Sequence, residues 1–234
     1  MNPNMKNLFF DTNVIIGYIF RFDSLYPQAS KLISQGGTWY YSYHVNREIK
    51  QVFNEKINDY NKLLVKISRI LNRHNDFDFI SKSDLQDKIA NKGDIGKINK
   101  KNIFTAINQI WDYYDFGENV ECGFLKLKLT NLIRNMNILI YNDLKNFKKN
   151  LNYIPAHQYK ESSILKEINN KSLQDKFHGE DKDILFDVHE YCKKYPDSDM
   201  HFVSADKDFI DVICELLHLL SFNRYIDLNF VDKT

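Results

Sequence analysis

The sequence predicts an α/β fold with a small, mostly parallel sheet, helices on both faces of the sheet, and a long helical insertion. Two observations predict this fold: both ends of the chain alternate strand, loop and helix, and the stretch between them has only helical spacing of apolar residues. In open α/β sheets, ligands bind in the crevice outside the carboxyl ends of the strands. The residues that directly follow each predicted strand are therefore the first candidates for function.

The first predicted strand and the first predicted helix meet at a carboxylate. The apolar run at 8–10 predicts a buried strand, which stops at Asp11, and the apolar residues that follow have helical spacing. After a second helical segment, a β-rich run at 38–43 predicts the second strand. Helical spacing from residue 45 onward predicts a long helix with Glu48 in its first turn. If the two strands are parallel, Asp11 and Glu48 lie at the same edge of the sheet.

The middle of the chain is predicted to be a helical subdomain inserted into the α/β domain. We place the insertion at 75–175 and the surrounding domain at 1–74 and 176–234. No strand signal and no internal repeat stands out in this middle stretch, and helical spacing predicts helices over 98–116, 122–150 and 162–176. The insertion therefore separates the first two strands of the sheet from the remaining ones.

The last quarter of the chain returns to alternating helices and strands. The predicted elements are a helix over 181–195, a strand over 200–204 and a closing edge strand over 226–231. Between the two strands, the segment 205–209 is followed by a helix that ends near residue 220. Asp181 lies at the start of the first of these helices, and Asp206 follows the first of these strands. Both acids thus occupy places that are equivalent to those of Asp11 and Glu48.

Four acidic side chains at one edge of a sheet indicate a divalent cation. For any single acid, capping of a helix is the simpler explanation, because its oxygen accepts the free backbone N–H groups of the first turn. Four neighbouring carboxylates repel each other, and a divalent cation between them relieves that repulsion. Because ligands that are all oxygen suit Mg²⁺ or Mn²⁺, the sequence predicts such a centre at Asp11, Glu48, Asp181 and Asp206.

The charge and the cysteines of the chain bear on its partners and its compartment. The middle, from 56 to 176, has 21 Lys and Arg against 14 Asp and Glu, although the whole chain has a net charge of only +1. A basic middle suits a polyanion, and lysine-rich solvated helix faces explain the same pattern equally well. Three separate cysteines provide no disulfide or zinc framework. No stretch has the length of a signal peptide or a membrane span, so we expect a cytoplasmic protein without a membrane partner.

Four blocks of the sequence, in this order, resemble the motifs of PIN-domain nucleases. The first is Phe-Phe-Asp-Thr-Asn-Val at 9–14, and the last is Val-Ser-Ala-Asp-Lys-Asp-Phe at 203–209. Between them stand Asn-Arg-Glu-Ile at 46–49 and Gly-Glu-Asp at 179–181. These two blocks are weak alone and support the resemblance only because all four blocks occur in the order of the family motifs. The resemblance covers the two ends of the chain and excludes the insertion, which is longer than the usual spacing of the family.

The resemblance implies a PIN-like three-layer fold and a metal-dependent endoribonuclease that hydrolyses RNA phosphodiester bonds with Mg²⁺ or Mn²⁺. The four acids of the predicted centre are then its catalytic residues and metal ligands, and Asp183 and Asp208 are further metal candidates. The third position is open between Asp181 and Asp183. Apolar residues three, four and seven positions after Asp181 favour Asp181, whereas the helix dipole explains an acid at Asp183 as well.

Polar residues beside these acids have supporting roles in the same scheme. Thr12, Asn13 and Ser204 fit a shell of hydrogen bonds that orients the carboxylates, although Thr12 and Ser204 fit plain strand-end caps equally well. Lys207 and His178 are candidates for contact with a substrate phosphate. A charge-balancing lysine and a surface histidine explain these two residues at least as simply.

The main alternative is a PIN-like protein that binds RNA or a protein partner without cutting it. All four acidic positions are filled, which favours an enzyme. A phosphoaspartyl phosphatase expects a second acid two residues after the aspartate of its first strand, where this chain has Asn13. The sequence leaves open the biological setting: a toxin with a protein inhibitor, host defence or RNA processing. It also leaves open whether the insertion binds RNA, a protein partner or a second copy of the chain in a homo-oligomer.

Overall fold

A computed structural model gives the structure of residues 6–91, 100–156, 163–178, 180–222 and 224–233. The described residues form seven strands: β1 (Asn7–Phe10), β2 (Thr38–Ser42), β3 (Phe79–Ser81), β4 (Asn119–Glu121), β5 (Leu151–Ile154), β6 (Met200–Ser204) and β7 (Arg224–Asp227). They also form nine helices: α1 (Thr12–Ile19), α2 (Tyr26–Ser34), α3 (Tyr43–Leu71), α4 (Lys82–Asn91), α5 (Lys100–Tyr113), α6 (Cys122–Lys148), α7 (Ser163–Asn170), α8 (Asp181–Lys194) and α9 (Lys207–Leu216). None of these helices is both long enough and apolar enough to cross a bilayer.

The contacts within the chain divide it into two units, each with its own sheet. The first unit comprises Met1–Ile19, Leu25–Val52 and Lys145–Thr234. The second unit comprises Phe20–Ser24 and Phe53–Leu144. All four predicted acids belong to the first unit. The domain boundaries proposed from the sequence stay a prediction.

The first unit is built on a five-stranded sheet with the order β5-β2-β1-β6-β7. All four neighbouring pairs are parallel. In the register of the sheet, Phe9 pairs with Tyr40 of β2 on one side and with Phe202 of β6 on the other. The carboxyl ends of the strands therefore lie at a single edge. The predicted α/β class with a parallel sheet is confirmed.

Helices cover both faces of this sheet. On one face, the ring of Phe9 stacks on that of Phe202, which meets the ring of Phe209 from α9 edge-on. Because successive side chains of a strand point to opposite faces, Phe10 lies on the other face, where its ring stacks on Phe147 near the end of α6. All these aromatic side chains are buried. An apolar layer on each face thus fixes the sheet whose edge carries the acids.

The second unit is mainly helical and contains one short antiparallel pair, β3 with β4. Its helical core is apolar, with fully buried side chains that include Leu64, Ile67, Ile107, Leu125 and Leu129. Polar contacts supplement this core. Nε1 of Trp111 donates to the carbonyl of Gly117 at 3.1 Å, which ties the end of α5 to the loop before β4.

The strands β3, β4 and β5 lie in the stretch where the sequence shows no strand signal. Each has only three or four residues, which is too short for an alternating apolar pattern to stand out. In β5 the two end residues, Leu151 and Ile154, are buried, and the two between them are exposed. Pairing with β2, rather than a local pattern, makes this segment a strand.

The closing strand β7 ends earlier than the sequence predicts. A strand was expected to reach residue 231, but β7 stops at Asp227 and a 3₁₀ turn follows at Leu228–Lys233. Oδ1 of Asp227 accepts hydrogen bonds from the backbone N–H and from Nδ2 of Asn229, both at 2.9 Å. Such a local bond from an aspartate two residues earlier favours a turn over an extended strand.

Candidate metal centre

The four predicted carboxylates lie at the carboxyl-terminal edge of the five-stranded sheet. Asp11 directly follows β1, and Asp206 is the second residue after β6. Glu48 lies just after the first turn of α3, which begins where β2 ends, and Asp181 is the first residue of α8. Because β2, β1 and β6 are adjacent and parallel, the strand ends that precede three of these acids come together.

Asp11 is buried and held from two sides. Its Oδ1 accepts from the backbone N–H of Thr12 at 2.6 Å, and its Oδ2 accepts from Nδ2 of Asn13 and from Oγ of Ser204, both at 2.8 Å. Burial raises the pKa of Asp11 to about 7, the hydrogen bond from Ser204 opposes this, and the negative charge of Glu48 raises the pKa further. At neutral pH, Asp11 is therefore poised between its neutral and its charged form.

The negative charges of the other acids act on one another. Burial raises the pKa of Glu48, and the charge of Asp206 adds to this effect against a 2.5 Å hydrogen bond from Oγ1 of Thr12. Burial also raises the pKa of Asp181 to about 6, with further contributions from the charges of Glu48 and Asp206. The charge of Asp181 in turn raises the pKa of Asp11. The structure thus brings the four predicted carboxylates into one cluster.

Asp206 caps a helix and also interacts electrostatically with two of the other predicted acids. Its Oδ1 accepts from the backbone N–H groups of Asp208 and Phe209, at 2.9 and 3.2 Å, and so caps the N-terminus of α9. Its charge also acts on Glu48 and Asp181. The cap fixes the orientation of a carboxylate that belongs to the cluster, so the two explanations do not exclude each other.

A short chain of hydrogen bonds joins the first turn of α1 to the end of β6 and the residues that follow it. Nδ2 of Asn13 donates to Oγ of Ser204 at 3.1 Å, and Oδ1 of Asn13 accepts from the backbone N–H of Ala205 at 2.9 Å. Oγ of Ser204 also accepts from the backbone N–H of Asp206 at 3.0 Å. These bonds surround Asp11. The positions of Thr12, Asn13 and Ser204 therefore agree with the predicted role of orienting the carboxylates by hydrogen bonds.

The remaining predicted residues lie at the margin of the cluster. Lys207 and Asp208 are exposed in the first turn of α9, and the Asp208 carboxylate lies 4.0 Å from Nε2 of His178. The side chain of His178 is exposed, and its backbone N–H donates to Oδ2 of Asp181 at 2.6 Å. Of the two candidates for the third position, Asp181 contributes to the raised pKa of Asp11, and the choice between Asp181 and Asp183 stays a prediction.

Asp183, a further metal candidate in the sequence, lies in a neighbouring group whose other members were not predicted as ligands. One ligand atom each from His44, Glu180 and Asp183 lies within 4.8 Å of the others. Glu180 is buried, and its Oε1 lies 2.7 Å from Nε of Arg47. Nδ1 of His44 lies 2.8 Å from Oδ2 of the buried Asp187. This group is distinct from the four-acid cluster in composition, because it contains an imidazole.

One signal in the sequence points to part of this neighbouring group. Asp183 and Asp187 are four residues apart on α8, which places both on the same side of the helix. Glu180 immediately precedes Asp181, and His44 immediately follows the second predicted strand. Each of these residues is adjacent to a predicted feature, but only the folded chain brings the four together.

The four-acid cluster is the predicted site for a divalent cation, whereas the ligand atoms found within 4.8 Å of one another among the described residues are those of His44, Glu180 and Asp183. The four carboxylates are buried or half-buried, and burial together with repulsion disfavours the charged forms of Asp11, Glu48 and Asp181. A divalent cation among them reverses this effect, because it favours the charged forms. Oxygen ligands suit Mg²⁺ or Mn²⁺, and the residues that would hold such an ion are Asp11, Glu48, Asp181 and Asp206.

Comparison of the chain with protein-family models, with curated proteins and with solved structures gives no match.

Proposed function

We propose that this protein is a PIN-like, metal-dependent endoribonuclease that hydrolyses RNA phosphodiester bonds in the cytoplasm. The observation that carries the proposal is the cluster of Asp11, Glu48, Asp181 and Asp206 at the carboxyl edge of a parallel sheet, with the pKa of Asp11 raised to about 7 and that of Asp181 to about 6. Strongly shifted carboxylates in such a place are typical of functional sites. The order of the four sequence blocks supports a PIN-like nuclease.

In the proposed reaction, water attacks the phosphorus of the phosphodiester, and the protein side chains would bind and orient the cation that assists this attack. A bound Mg²⁺ or Mn²⁺ neutralises charge on the phosphodiester and makes water a better nucleophile. Asp11 and Asp206 hold fixed orientations through the Ser204 and α9 backbone contacts described above. Oγ1 of Thr12 fixes one oxygen of Glu48. These bonds hold the carboxylates in set orientations, which limits their reorganisation during the proposed reaction.

The direct test is cleavage of RNA by the purified full chain. We expect end-labelled single-stranded RNA to be cut in Mn²⁺ or Mg²⁺, no cleavage in EDTA, and recovery when the cation is added in excess. A chain that binds the RNA in a gel-shift assay but leaves it uncut with either cation contradicts the nuclease and supports the non-cutting alternative. Sequencing of RNA ends after induced expression in cells would then identify the cleavage sites.

Replacement of Ser204 by alanine tests the role of the hydrogen bonds around Asp11. The substitution removes the bond that lowers the pKa of Asp11, so we expect cleavage to fall by about 10- to 100-fold. We also expect the acidic limb of the pH–rate profile to move to higher pH. A profile with an unchanged midpoint, measured from pH 5 to pH 9 at saturating Mn²⁺, contradicts this role. Ser34→Ala is the matched control, because its hydroxyl is exposed and donates only to the carbonyl of Lys31.

A further inference from the structure

Glu180 is a buried carboxylate, and only one of its two oxygens has a partner among the described residues. Its side chain is only 9% exposed, and Arg47 binds Oε1 through Nε at 2.7 Å. Oε2 is buried and has no hydrogen-bond partner within the part of the chain that the structure describes. Because a buried charged oxygen without a partner is costly, this atom indicates a ligand. A cation is the natural ligand of a carboxylate oxygen.

His44, next to Glu180, is held in the manner of a metal-binding histidine. Its Nδ1 lies 2.8 Å from Oδ2 of Asp187, whose side chain is buried. If Asp187 is ionised, this bond places the proton of a neutral imidazole on Nδ1 and leaves the lone pair on Nε2. Histidine ligands of metals are commonly oriented by a carboxylate on the other ring nitrogen. Nε2 of His44 is therefore the atom that is prepared to bind a metal.

We propose that His44, Glu180 and Asp183 bind a divalent transition-metal ion, Zn²⁺ or Mn²⁺, with Asp187 as the positioning residue of His44. One ligand atom from each of the three lies within 4.8 Å of the others, which is close enough for a single ion to contact all three. The two carboxylates balance the charge of the ion. Asp183 is half-buried in the first turn of α8, three residues from Glu180.

The imidazole determines which ions this site takes. Mg²⁺ prefers oxygen ligands, whereas Zn²⁺ and Mn²⁺ accept nitrogen together with carboxylate oxygen. Three protein ligands also leave coordination positions for water or for a substrate. The site therefore differs from the all-oxygen cluster in its metal preference. The inference concerns metal binding alone and does not rest on the proposed cleavage of RNA.

The test is titration of Zn²⁺ and Mn²⁺ into the full chain by isothermal calorimetry. We expect His44→Gln to weaken Zn²⁺ binding at least tenfold, and His218→Gln, the matched change at an exposed histidine, to leave it unchanged. Pulsed electron paramagnetic resonance of bound Mn²⁺ should show coupling to an imidazole ¹⁴N in the wild type and not in His44→Gln. Equal Zn²⁺ affinity of the wild type and His44→Gln overturns the proposal.

Two further variants keep the result interpretable. Asp183→Asn removes a second ligand from a half-buried position, and we expect the same loss of Zn²⁺ affinity if His44→Gln does not fold. Asp206→Asn removes a ligand of the four-acid cluster, and we expect it to retain the ¹⁴N coupling. Loss of that coupling in Asp206→Asn instead of in His44→Gln overturns the assignment. Inactivity of the wild type toward RNA leaves these binding results standing, so the two proposals fail separately.

Discussion

Asp11→Asn is expected to lower the rate of RNA cleavage by about 10³-fold or more while the protein stays folded. Asparagine has nearly the same shape as aspartate, and its side-chain oxygen still accepts from one of the surrounding donors. The substitution removes the negative charge that a cation at the carboxyl edge of the sheet requires. Because Asp11 is buried among its hydrogen-bond partners, the substitution removes the charge from the interior of the cluster.

The measurement compares initial rates on end-labelled RNA in Mn²⁺ and in Mg²⁺. Asp197→Asn is the control, since Asp197 is an exposed acid in the 3₁₀ turn before β6, at the opposite end of that strand from the cluster. We expect this control to cleave within about twofold of the wild type, as is usual for a surface substitution. A rate for Asp11→Asn within tenfold of the wild type would show that the four-acid cluster is not the catalytic centre.

In the metal-free protein, Asp11→Asn is expected to raise the free energy of unfolding at pH 8. The pKa of Asp11 is about 7 in the folded chain against 3.8 for an ordinary aspartate. Between these pH values, folding must either bind a proton at Asp11 or bury its negative charge. For an acid with a raised pKa, stability is greatest at low pH and is lost as the pH rises from 3.8 through 7. Asp11→Asn has no carboxyl group at this position, so its stability does not fall with pH for this reason.

The expected size of this stability difference follows from the raised pKa of Asp11. At about 1.4 kcal/mol per pKa unit, the stability difference between Asp11→Asn and the wild type should grow by roughly 2–3 kcal/mol between pH 5 and pH 8. The difference is the quantity to measure, because His189 and His201 have an opposite pH dependence. Burial lowers the pKa of both histidines, so their contributions to stability increase with pH.

Urea unfolding in EDTA at several pH values supplies these free energies. Excess Mg²⁺, which the imidazole-containing group does not favour, should then stabilise the wild type and have much less effect on Asp11→Asn, because the cation binds the folded state only. A stability difference that does not change between pH 5 and pH 8 contradicts the raised pKa of Asp11. Equal stabilisation of both proteins by Mg²⁺ contradicts its role as a ligand.

The sheet and its acids could be predicted from the sequence because their signals are local. An apolar run that stops at Asp11, and another that stops shortly before Asp206, mark two strand ends within a few residues each. Parallel pairing then follows from the alternation of strands and helices, and it places both acids at one edge. The capping bonds of Asp206 are equally local, since they join residues two and three positions apart.

The neighbouring group could not be predicted, because it depends on long-range contacts. The contact between His44 and Asp187 joins residues 143 positions apart, and neither residue stands out in its own segment. The burial of Glu180, and its contact with Arg47, appear only when α3 and α8 come together. The strand β5 was missed for the same reason, since its identity depends on pairing with β2.

The pairing of β1 with β6 also has a consequence for the moment at which the four acids can come together. The hydrogen bond between Ser204 and Asp11 joins residues 193 positions apart. At the usual speed of translation, about 10–40 s separate the synthesis of these two residues. During that interval the growing chain contains Asp11 and Glu48 but neither Asp181 nor Asp206 until its last quarter is made. The growing chain thus has at most three of the four carboxylates until residue 206 has been added.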